Sequence, residues 1–388
     1  MNTNHSEYTY PIPSDVDLVN RISQWPAKEN PNSAFPYSAE VSFEFPLPSQ
    51  TLLFLSQGAL SAGDLRITTS STVRPDFARV RITVSCHDEG VRDVAKVGLI
   101  KRKGGESGVG IFTPKYWVGQ TWDRLYFNVK LALPQNTPSY LNNLTTDMSN
   151  FSHNVGPFKD IVNFGEISLT GSQGKIIVKD LGAQKVTFST SNAPVEVDNL
   201  VALNAVVHSS NGPISGTYHV FDSLDLRTTN GSIKVAVGLT GDSNINASQT
   251  LTMRTSNDVL ESAINLTASP GTKGNFRIKA GNSNGHLSTW IGSCPVGAVL
   301  SLDASTSNGS ARVMLPTAYE GGFTLSTSNA MAEVRRLTPN EHDPAGRGRQ
   351  RVLEMKTATK GVVYWDKINL GRGNVTLKSS NGPVSIYV

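Results

Sequence analysis

The amino-acid sequence predicts an all-β protein: a single-chain right-handed parallel β-helix of about ten coils, preceded by a smaller β-rich N-terminal unit. Three observations predict this fold class. The phrase Ser/Thr-Asn-Gly recurs through the second half of the chain, and apolar residues recur at fixed offsets around each copy. In addition, only 17% of the residues are charged and no window keeps a helical period, which is typical of turn-rich β proteins. The right hand is the general preference for parallel connections.

The repeated phrase has an asparagine at its centre in eight copies and a different residue in two degenerate copies. Successive centres are 19 to 30 residues apart, a spacing typical of repeat arrays. The asparagines are Asn192, Asn211, Asn230, Asn257, Asn284, Asn308, Asn329 and Asn381, and the degenerate centres are Gln173 and Thr359.

The flanks of the phrase predict strands. The positions six and four residues before each centre, and three residues after it, are apolar in all ten copies. Alternation with period two indicates a strand with one buried face. Because the parity changes across the phrase, a bend must lie there, and Asn and Gly tolerate the left-handed backbone that such a bend can need.

The same parity predicts where the polar corner residues point. The asparagine and the Ser or Thr two positions before it share the parity of the apolar residues, so we expect both to face inward. Stacked coils would bring the asparagines about 4.7–4.9 Å apart. Since an amide both donates and accepts, the eight asparagines are predicted to form a structural ladder that satisfies itself.

The chain is expected to contain four segments. Residues 1–37 are interpreted as a flexible tail, and residues 38–134 as a β-rich unit that is either sandwich-like or made of irregular first coils. Residues 135–159 are interpreted as a connector that could hold one imperfect coil. The repeat array follows at 160–388, with an exposed loop insertion at 335–351.

Composition limits the location and the partners. A net charge of +4 is too small to indicate nucleic-acid binding. No apolar stretch is long enough to span a membrane, and the first twenty residues have neither the basic segment nor the apolar core of a signal peptide. With no signal or anchor, the default expectation is an intracellular protein. Cys86 and Cys294 are expected to be free thiols, because an extended array separates them.

The sequence contains no catalytic or metal-binding constellation. Parallel β-helices can be polysaccharide lyases or hydrolases, and hydrolysis needs two facing carboxylates. Asp225 and Asp303 alone share a repeat position among the candidate acids, and they lie three coils apart. No histidine pair, cysteine cluster or calcium loop occurs. We therefore predict no cofactor, no metal and no catalytic residue.

One outward row carries basic residues. His208, Arg227 and Arg254 stand three positions before their centres in successive coils. Such a column is usually a solvated face, and it would also suit an anionic glycan or a lipid headgroup.

The repeat phrase, in its Leu/Val-x-x-Ser/Thr-Asn-Gly-x-Ile setting, resembles the adhesin-like repeat domains of fungi and bacteria, a family of β-helix domains of unknown biochemical role. The resemblance covers residues 160–388, and the strands at 40–134 look like the N-terminal part of the fungal members. It implies a place at the cell surface. It brings no catalytic residues.

Together these observations predict a non-catalytic, adhesin-like structural or binding module that acts through an exposed face. The rival hypothesis is a glycan-active β-helix enzyme, and a third is a matrix component without a specific ligand. The expected partner is a glycan or a cell-surface or cell-wall component. The strand edge at residues 382–388 is predicted to be covered by the 1–37 tail, by a partner, or by a second copy in end-to-end self-association.

Overall fold

The computed structural model describes residues 8–22, 25, 27–29, 35–47, 51–120, 122–135, 139–241, 248–337 and 342–388. These residues form 28 β-strands, one short α-helix and one 3-10 turn, so the predicted all-β class is confirmed. No helix in these ranges is long and apolar enough to cross a membrane. The chain divides into two compact units, which we call the first unit (1–193) and the second unit (194–388).

The strands of the first unit follow from alternating apolar residues, as in Phe77–Cys86, where every second side chain is buried. The short helix α1 (Glu89–Asp93) begins at Asp88, whose carboxylate accepts from the amide of Gly90. The strands are β1 (Val16–Val19), β2 (Ala27–Glu29), β3 (Tyr37–Pro46), β4 (Leu52–Gln57), β5 (Gly63–Ser70), β6 (Phe77–Cys86), β7 (Lys96–Arg102), β8 (Ser107–Phe112), β9 (Leu125–Pro134), β10 (Ser139–Met148), β11 (Phe151–Pro157), β12 (Val162–Thr170) and β13 (Ile176–Thr190).

In the first unit the chain alternates between two sheets. One has the strand order β2, β3, β6, β9, β5, β11, β13, and the other has the order β1, β7, β8, β4, β10, β12, β13. The pairs from β9 and from β8 onward are parallel, whereas the pairs before them are antiparallel. Residues 38–134 therefore contain both kinds of pairing, with β4–β8 and β5–β9 parallel and β3–β6, β6–β9 and β7–β8 antiparallel.

One segment of the first unit differs from the sequence prediction. The flexible tail expected at 1–37 contains β1, which pairs with residues 99–102 because Val16 joins a buried cluster with Leu53 and Ile100. In residues 135–159, interpreted from the sequence as a connector that could hold one imperfect coil, β10 and β11 each have parallel partners on both sides.

In the second unit the strands again follow period-two burial, as in Ile233–Gly241. The strands are β14 (Val195–Ser209), β15 (Ile214–Arg227), β16 (Ile233–Gly241), β17 (Gln249–Arg254), β18 (Leu260–Ala268), β19 (Asn275–Gly281), β20 (Leu287–Ser293), β21 (Val299–Thr306), β22 (Ala311–Met314), β23 (Gly321–Thr327), β24 (Ala332–Arg335), β25 (Val352–Thr357), β26 (Lys360–Tyr364), β27 (Gly373–Ser379) and β28 (Val384–Tyr387). A 3-10 turn, Lys367–Asn369, precedes β27.

The coils of the second unit do not stack in chain order. One sheet runs β14, β15, β16, β18, β20, β22, β28, β24, and the other runs β14, β15, β17, β19, β21, β27, β23, all through parallel pairs. The coil made by β27 and β28 is therefore inserted between two coils that precede it in the sequence. An antiparallel hairpin, β25–β26, covers the outer edge of β23.

The observed strand pairing shows that two predictions are wrong. The edge at residues 382–388 is not available for end-to-end self-association, because β28 is hydrogen-bonded to β22 on one side and to β24 on the other. Thr359 is not the centre of a coil, because it lies in the turn of the β25–β26 hairpin. The sequence pattern gave a wrong prediction at Thr359 because apolar residues also alternate with a period of two in the strands of a hairpin.

The loop insertion expected at 335–351 lies after β24 and is largely exposed in its described part, while 338–341 are outside the described residues. Its fold depends on Asp343. The side chain of this residue accepts from the Arg349 guanidinium at 2.8 Å and from the backbone amides of Ala345 and Arg347. The hydrogen bond from Arg349 holds the pKa of Asp343 well below its ordinary value.

The glycine of the corner phrase has a different role from the one predicted. Among the described residues with positive φ there is no glycine of a corner phrase, so these bends need no left-handed backbone. Instead the neighbouring coil comes very close. A Cβ added to Gly231 would lie 2.2 Å from the carbonyl oxygen of Gly212, and one added to Gly309 would lie 1.9 Å from that of Gly285. Glycine is needed there because backbones approach.

Candidate functional site

The corners of the second unit bring seven of the eight predicted asparagines into one row. Six hydrogen bonds link the seven, and in each neighbouring pair one amide nitrogen donates to the amide oxygen of the other asparagine at 2.6–2.7 Å. The order in space follows the inserted coil and is Asn211, Asn230, Asn257, Asn284, Asn308, Asn381, Asn329. Asn192 belongs to the first unit, where its backbone amide donates to the carbonyl of Ser172.

The asparagine side chains are exposed, so the inward orientation expected of them is wrong. The residue two positions earlier is the one that points inward. Thr228 is a buried example: its hydroxyl donates to the carbonyl of Gly212 at 3.1 Å and accepts from the amide of Gly231 at 3.2 Å. The backbone turns over between these two positions, and the asparagine therefore projects to the outside of the corner.

The basic column predicted from the sequence exists as a row of neighbours. His208 pairs in register with Arg227, and Arg227 with Arg254, and all three residues are exposed. They are not equivalent. Arg227 forms a bidentate ion pair with Asp225 at 2.6 and 2.8 Å, and this hydrogen bonding raises the pKa of Arg227. Arg254 has no ion pair among the described residues.

A groove opens beside Arg254, and sequence reasoning missed it. The next residue of the row is Gly281, which has no side chain and leaves a space of about 310 Å³. Lys279 lies two residues earlier on the same face, and Asp303 lies beside Lys279 in register. Ser283 and Ser305 add hydroxyl groups to the wall. Two cations without an ion pair in the described part of the chain, one carboxylate and several hydroxyls therefore face the same space.

A second groove, of about 340 Å³, lies on the other sheet at the inserted coil. Its wall contains Tyr387, whose ring centre lies 5.5 Å from the guanidinium carbon of Arg312 and 5.6 Å from that of Arg335. Met331, which is 80% exposed, lines the same groove. No sequence pattern could indicate this combination, because Tyr387 and Arg335 become neighbours only through the insertion of β28.

The two acids that share a repeat position, Asp225 and Asp303, are too far apart to act as a hydrolytic pair. Asp225 and Asp303 lie in one row, with Thr252 and Lys279 between them. Three strand spacings amount to about 14 Å, which is more than the roughly 5–9.5 Å needed for glycoside hydrolysis. Within the described ranges, no three His, Cys, Asp or Glu side chains are grouped closely enough to hold a metal ion.

Both cysteines are free, as predicted. Burial raises the pKa of Cys86 to about 11 and that of Cys294 to about 12. A thiol with such a pKa remains protonated near neutral pH, and the thiolate is the nucleophilic form. Neither cysteine is therefore prepared for nucleophilic chemistry.

Residues 205–338 match the model of a domain of unknown function, DUF7330. No curated protein matches the chain. Among solved structures, the chain is similar to a candidate cell adhesion protein from Clostridium sporogenes, at 10% identity, covering 90% of this chain and 99% of that chain with a TM-score of 0.19. It is also similar to a candidate adhesin from Bacteroides fragilis, at 13% identity, covering 71% and 95% with a TM-score of 0.28.

A candidate lipid-binding protein from Parabacteroides distasonis is similar at 15% identity, covering 71% of this chain and 89% of that chain with a TM-score of 0.25. One of these three structures is described as an adhesin and another as a cell adhesion protein.

Proposed function

We propose that this chain is a non-catalytic binding module of the adhesin-like kind and that it binds an anionic polysaccharide at the Arg254–Lys279 groove. The observation that carries the proposal is a pair of cations, exposed on one face, that have no ion-pair partner among the described residues. Carboxylate and sulfate groups are the partners that such cations bind through charge-assisted hydrogen bonds.

The row geometry supports a chain-like ligand. Beyond Gly281 the row of Arg254 continues through Ser305 to Lys378, each in register with the one before. Neighbouring strands are about 4.8 Å apart, so Arg254 and Lys378 are separated by about 14 Å. A polymer that lies across the strands can therefore meet a cation at each end of this row and the Ser305 hydroxyl between them.

For the coils of both units we propose the right-handed parallel β-helix that the sequence predicts. Parallel pairing between coils and the general chirality of parallel connections support it. In such a fold the outward residues form straight rows, and a repeating ligand can follow a row.

The rival function, a glycan-active enzyme, receives no support from the carboxylates. Asp225 and Asp303 are about 14 Å apart, and Asp225 is occupied by Arg227. Incubation with polygalacturonate or heparin should therefore leave the length of the polymer unchanged, as measured by size-exclusion chromatography.

Binding of the same polymers tests the proposal. The double variant Arg254→Ala/Lys279→Ala should bind polygalacturonate or heparin about tenfold more weakly or worse, because each lost charged hydrogen bond contributes more than 1 kcal/mol. Isothermal titration calorimetry at low salt measures the change, and added salt should weaken the binding of the unmodified chain.

The matched control is Arg347→Ala/Lys360→Ala. It removes the same formal charge from exposed positions outside the groove. This control should bind as the unmodified chain does. Equal weakening in both double variants would mean that the polymer senses only net charge. Absence of binding to either polymer would favour the matrix-component hypothesis.

A further inference from the structure

The first unit has an apolar loop that the proposed binding function does not use. This loop connects β8 to β9, and we call it the 115–124 loop; Thr121 is outside the described residues. Three large apolar side chains in it are exposed: Tyr116 at 73%, Val118 at 101% and Trp122 at 58%. Because no other residue covers the Val118 side chain, this side chain projects from the surface.

The described part of the loop has a defined conformation. The Asp123 carboxylate accepts from the indole nitrogen of Trp117 at 3.2 Å and from the amide of Gln120 at 2.7 Å. Gly119 lies against the same carboxylate, since a Cβ added there would be 2.1 Å from the Asp123 Oδ2 atom. The exposed apolar side chains are thus held outside by a turn whose polar groups are satisfied internally.

The base of the loop is tied to the rest of the first unit. The backbone amide of Lys115 donates to the carbonyl of Thr9 at 2.8 Å, and the Tyr8 and Trp117 rings are 5.7 Å apart. The loop is therefore supported on aromatic residues. The tip of the loop is therefore attached to the folded part of the first unit.

Charge at the loop favours one kind of partner. Lys115 and Arg124 are exposed cations at its two ends, whereas its one carboxylate, Asp123, is occupied inside the turn. Lys96 adds a cation nearby, with its ammonium 3.6 Å from the ring centre of Tyr10. Tryptophan and tyrosine prefer the boundary between lipid and water, and lysine and arginine bind anionic headgroups.

We propose that the 115–124 loop is a membrane-docking element, which inserts Val118 and Trp122 into the boundary region of an anionic lipid bilayer while Lys115 and Arg124 contact the headgroups. A fully exposed side chain such as Val118 suits a lipid bilayer, because fluid lipid can surround the side chain on all sides. An isolated exposed apolar residue is ordinary on a protein surface, but three in one supported loop between two cations form a combined surface.

Vesicle binding by the full chain tests the proposal. We expect it to sediment with vesicles of equal parts phosphatidylcholine and phosphatidylserine, and to bind vesicles of phosphatidylcholine alone more weakly. Val118→Ser should lower the partition coefficient by about tenfold. Lys115→Ala and Arg124→Ala should each lower it by about fivefold on the anionic vesicles.

Depth of insertion has its own readout. Bromine-labelled acyl chains should quench tryptophan fluorescence on binding, and the conservative variant Trp122→Phe should retain binding while losing most of that quenching. The matched control for the valine is Val206→Ser, because Val206 is also exposed, at 44%, in the second unit. This control should bind vesicles as the unmodified chain does.

Three outcomes would overturn the proposal. The first is absence of binding to both vesicle compositions, which would leave a protein as the occupant of the loop. The second is equal binding of Val118→Ser and Val206→Ser. The third is loss of vesicle binding in Arg254→Ala/Lys279→Ala, which would assign lipid binding to the basic groove. Failure of polysaccharide binding would leave the loop proposal untouched.

Discussion

At the scale of single residues, a buried pair of polar side chains explains why the sequence pattern did not predict one of the corners. Asn150 lies at a corner between β10 and β11. The backbone carbonyl of Ser149 accepts there from the backbone amides of Ser172 and Gln173, as the equivalent carbonyls do at other corners. The position three residues after Asn150 is His153, and the position four residues before it is Thr146. Both are polar, so the apolar pattern fails. The structure brings them together, with the His153 Nε2 atom 2.9 Å from the Thr146 Oγ1 atom.

The buried state of His153 predicts a dependence of stability on pH. Burial lowers the pKa of His153 from an ordinary 6.5 to about 4. Between these values the unfolded chain binds more protons than the folded chain, so the free energy of unfolding falls as the pH falls through this window. The loss should reach about 3 kcal/mol near the folded pKa. Urea unfolding of the first unit, followed by circular dichroism at several pH values, measures it.

The variant His153→Gln should be less stable near neutral pH and should have a weaker pH dependence in the same window, because its side chain does not titrate. His219→Gln removes an exposed histidine and should retain the dependence of the unmodified chain. The same slope in all three proteins would show that carboxylates, and not His153, cause the dependence.

At the scale of elements, the corner is defined by how closely two coils approach. The exposed asparagine row links one coil to the next, and the buried hydroxyl two positions earlier satisfies backbone groups of both. Asp258 and Ala330 show that some coils accommodate a Cβ after the asparagine. Gly309 belongs to a tight corner, because the carbonyl oxygen of Gly285 would be only 1.9 Å from an added Cβ.

Gly309→Ala should therefore lower the free energy of unfolding by about 1–3 kcal/mol, since one of the two coils must shift. Gly371→Ala is the matched control, because an added Cβ there meets no atom within 4 Å. It should change the stability by less than about 0.5 kcal/mol. Equal thermal midpoints for the two variants would contradict the close-approach role of the corner glycine.

The positions of strands and corners were predictable where a residue pattern is compatible with one kind of local structure. All eight asparagine phrases lie in corners between strands, because alternation on both sides of Asn-Gly leaves few other arrangements. The Thr359 copy failed since its neighbours Leu353 and Met355 alternate in an antiparallel hairpin, and Met355 is 44% exposed there. Parity is a local property and does not distinguish parallel from antiparallel partners.

At the scale of the whole chain, the position of β28 decides what the last residues do. Ile386 is fully buried, and the strand is hydrogen-bonded between β22 and β24. Ile386→Ala should therefore lower the free energy of unfolding of the second unit by about 2–5 kcal/mol. Chemical denaturation measures the loss.

Ser385→Ala, at the neighbouring outward position, is the control and should have little effect. Analytical ultracentrifugation of both variants should give the same association state as the unmodified chain. A change of that state without a loss of stability in Ile386→Ala would restore the self-association that the strand order argues against.

The sequence by itself determined the all-β class, the corners at the eight asparagine phrases and the basic row of His208, Arg227 and Arg254, because period-two burial and a recurring Asn-Gly phrase are local properties of the chain. Only the tertiary structure decided which coil lies beside which. The repeats share the same apolar offsets, so any coil can in principle stack on any other, and the pattern contains no information about the insertion of β27 and β28. The pairing of Tyr387 with two arginines follows from that insertion, and the groove beside Gly281 forms where strands of three successive coils lie side by side. Each depends on contacts between residues far apart in the chain.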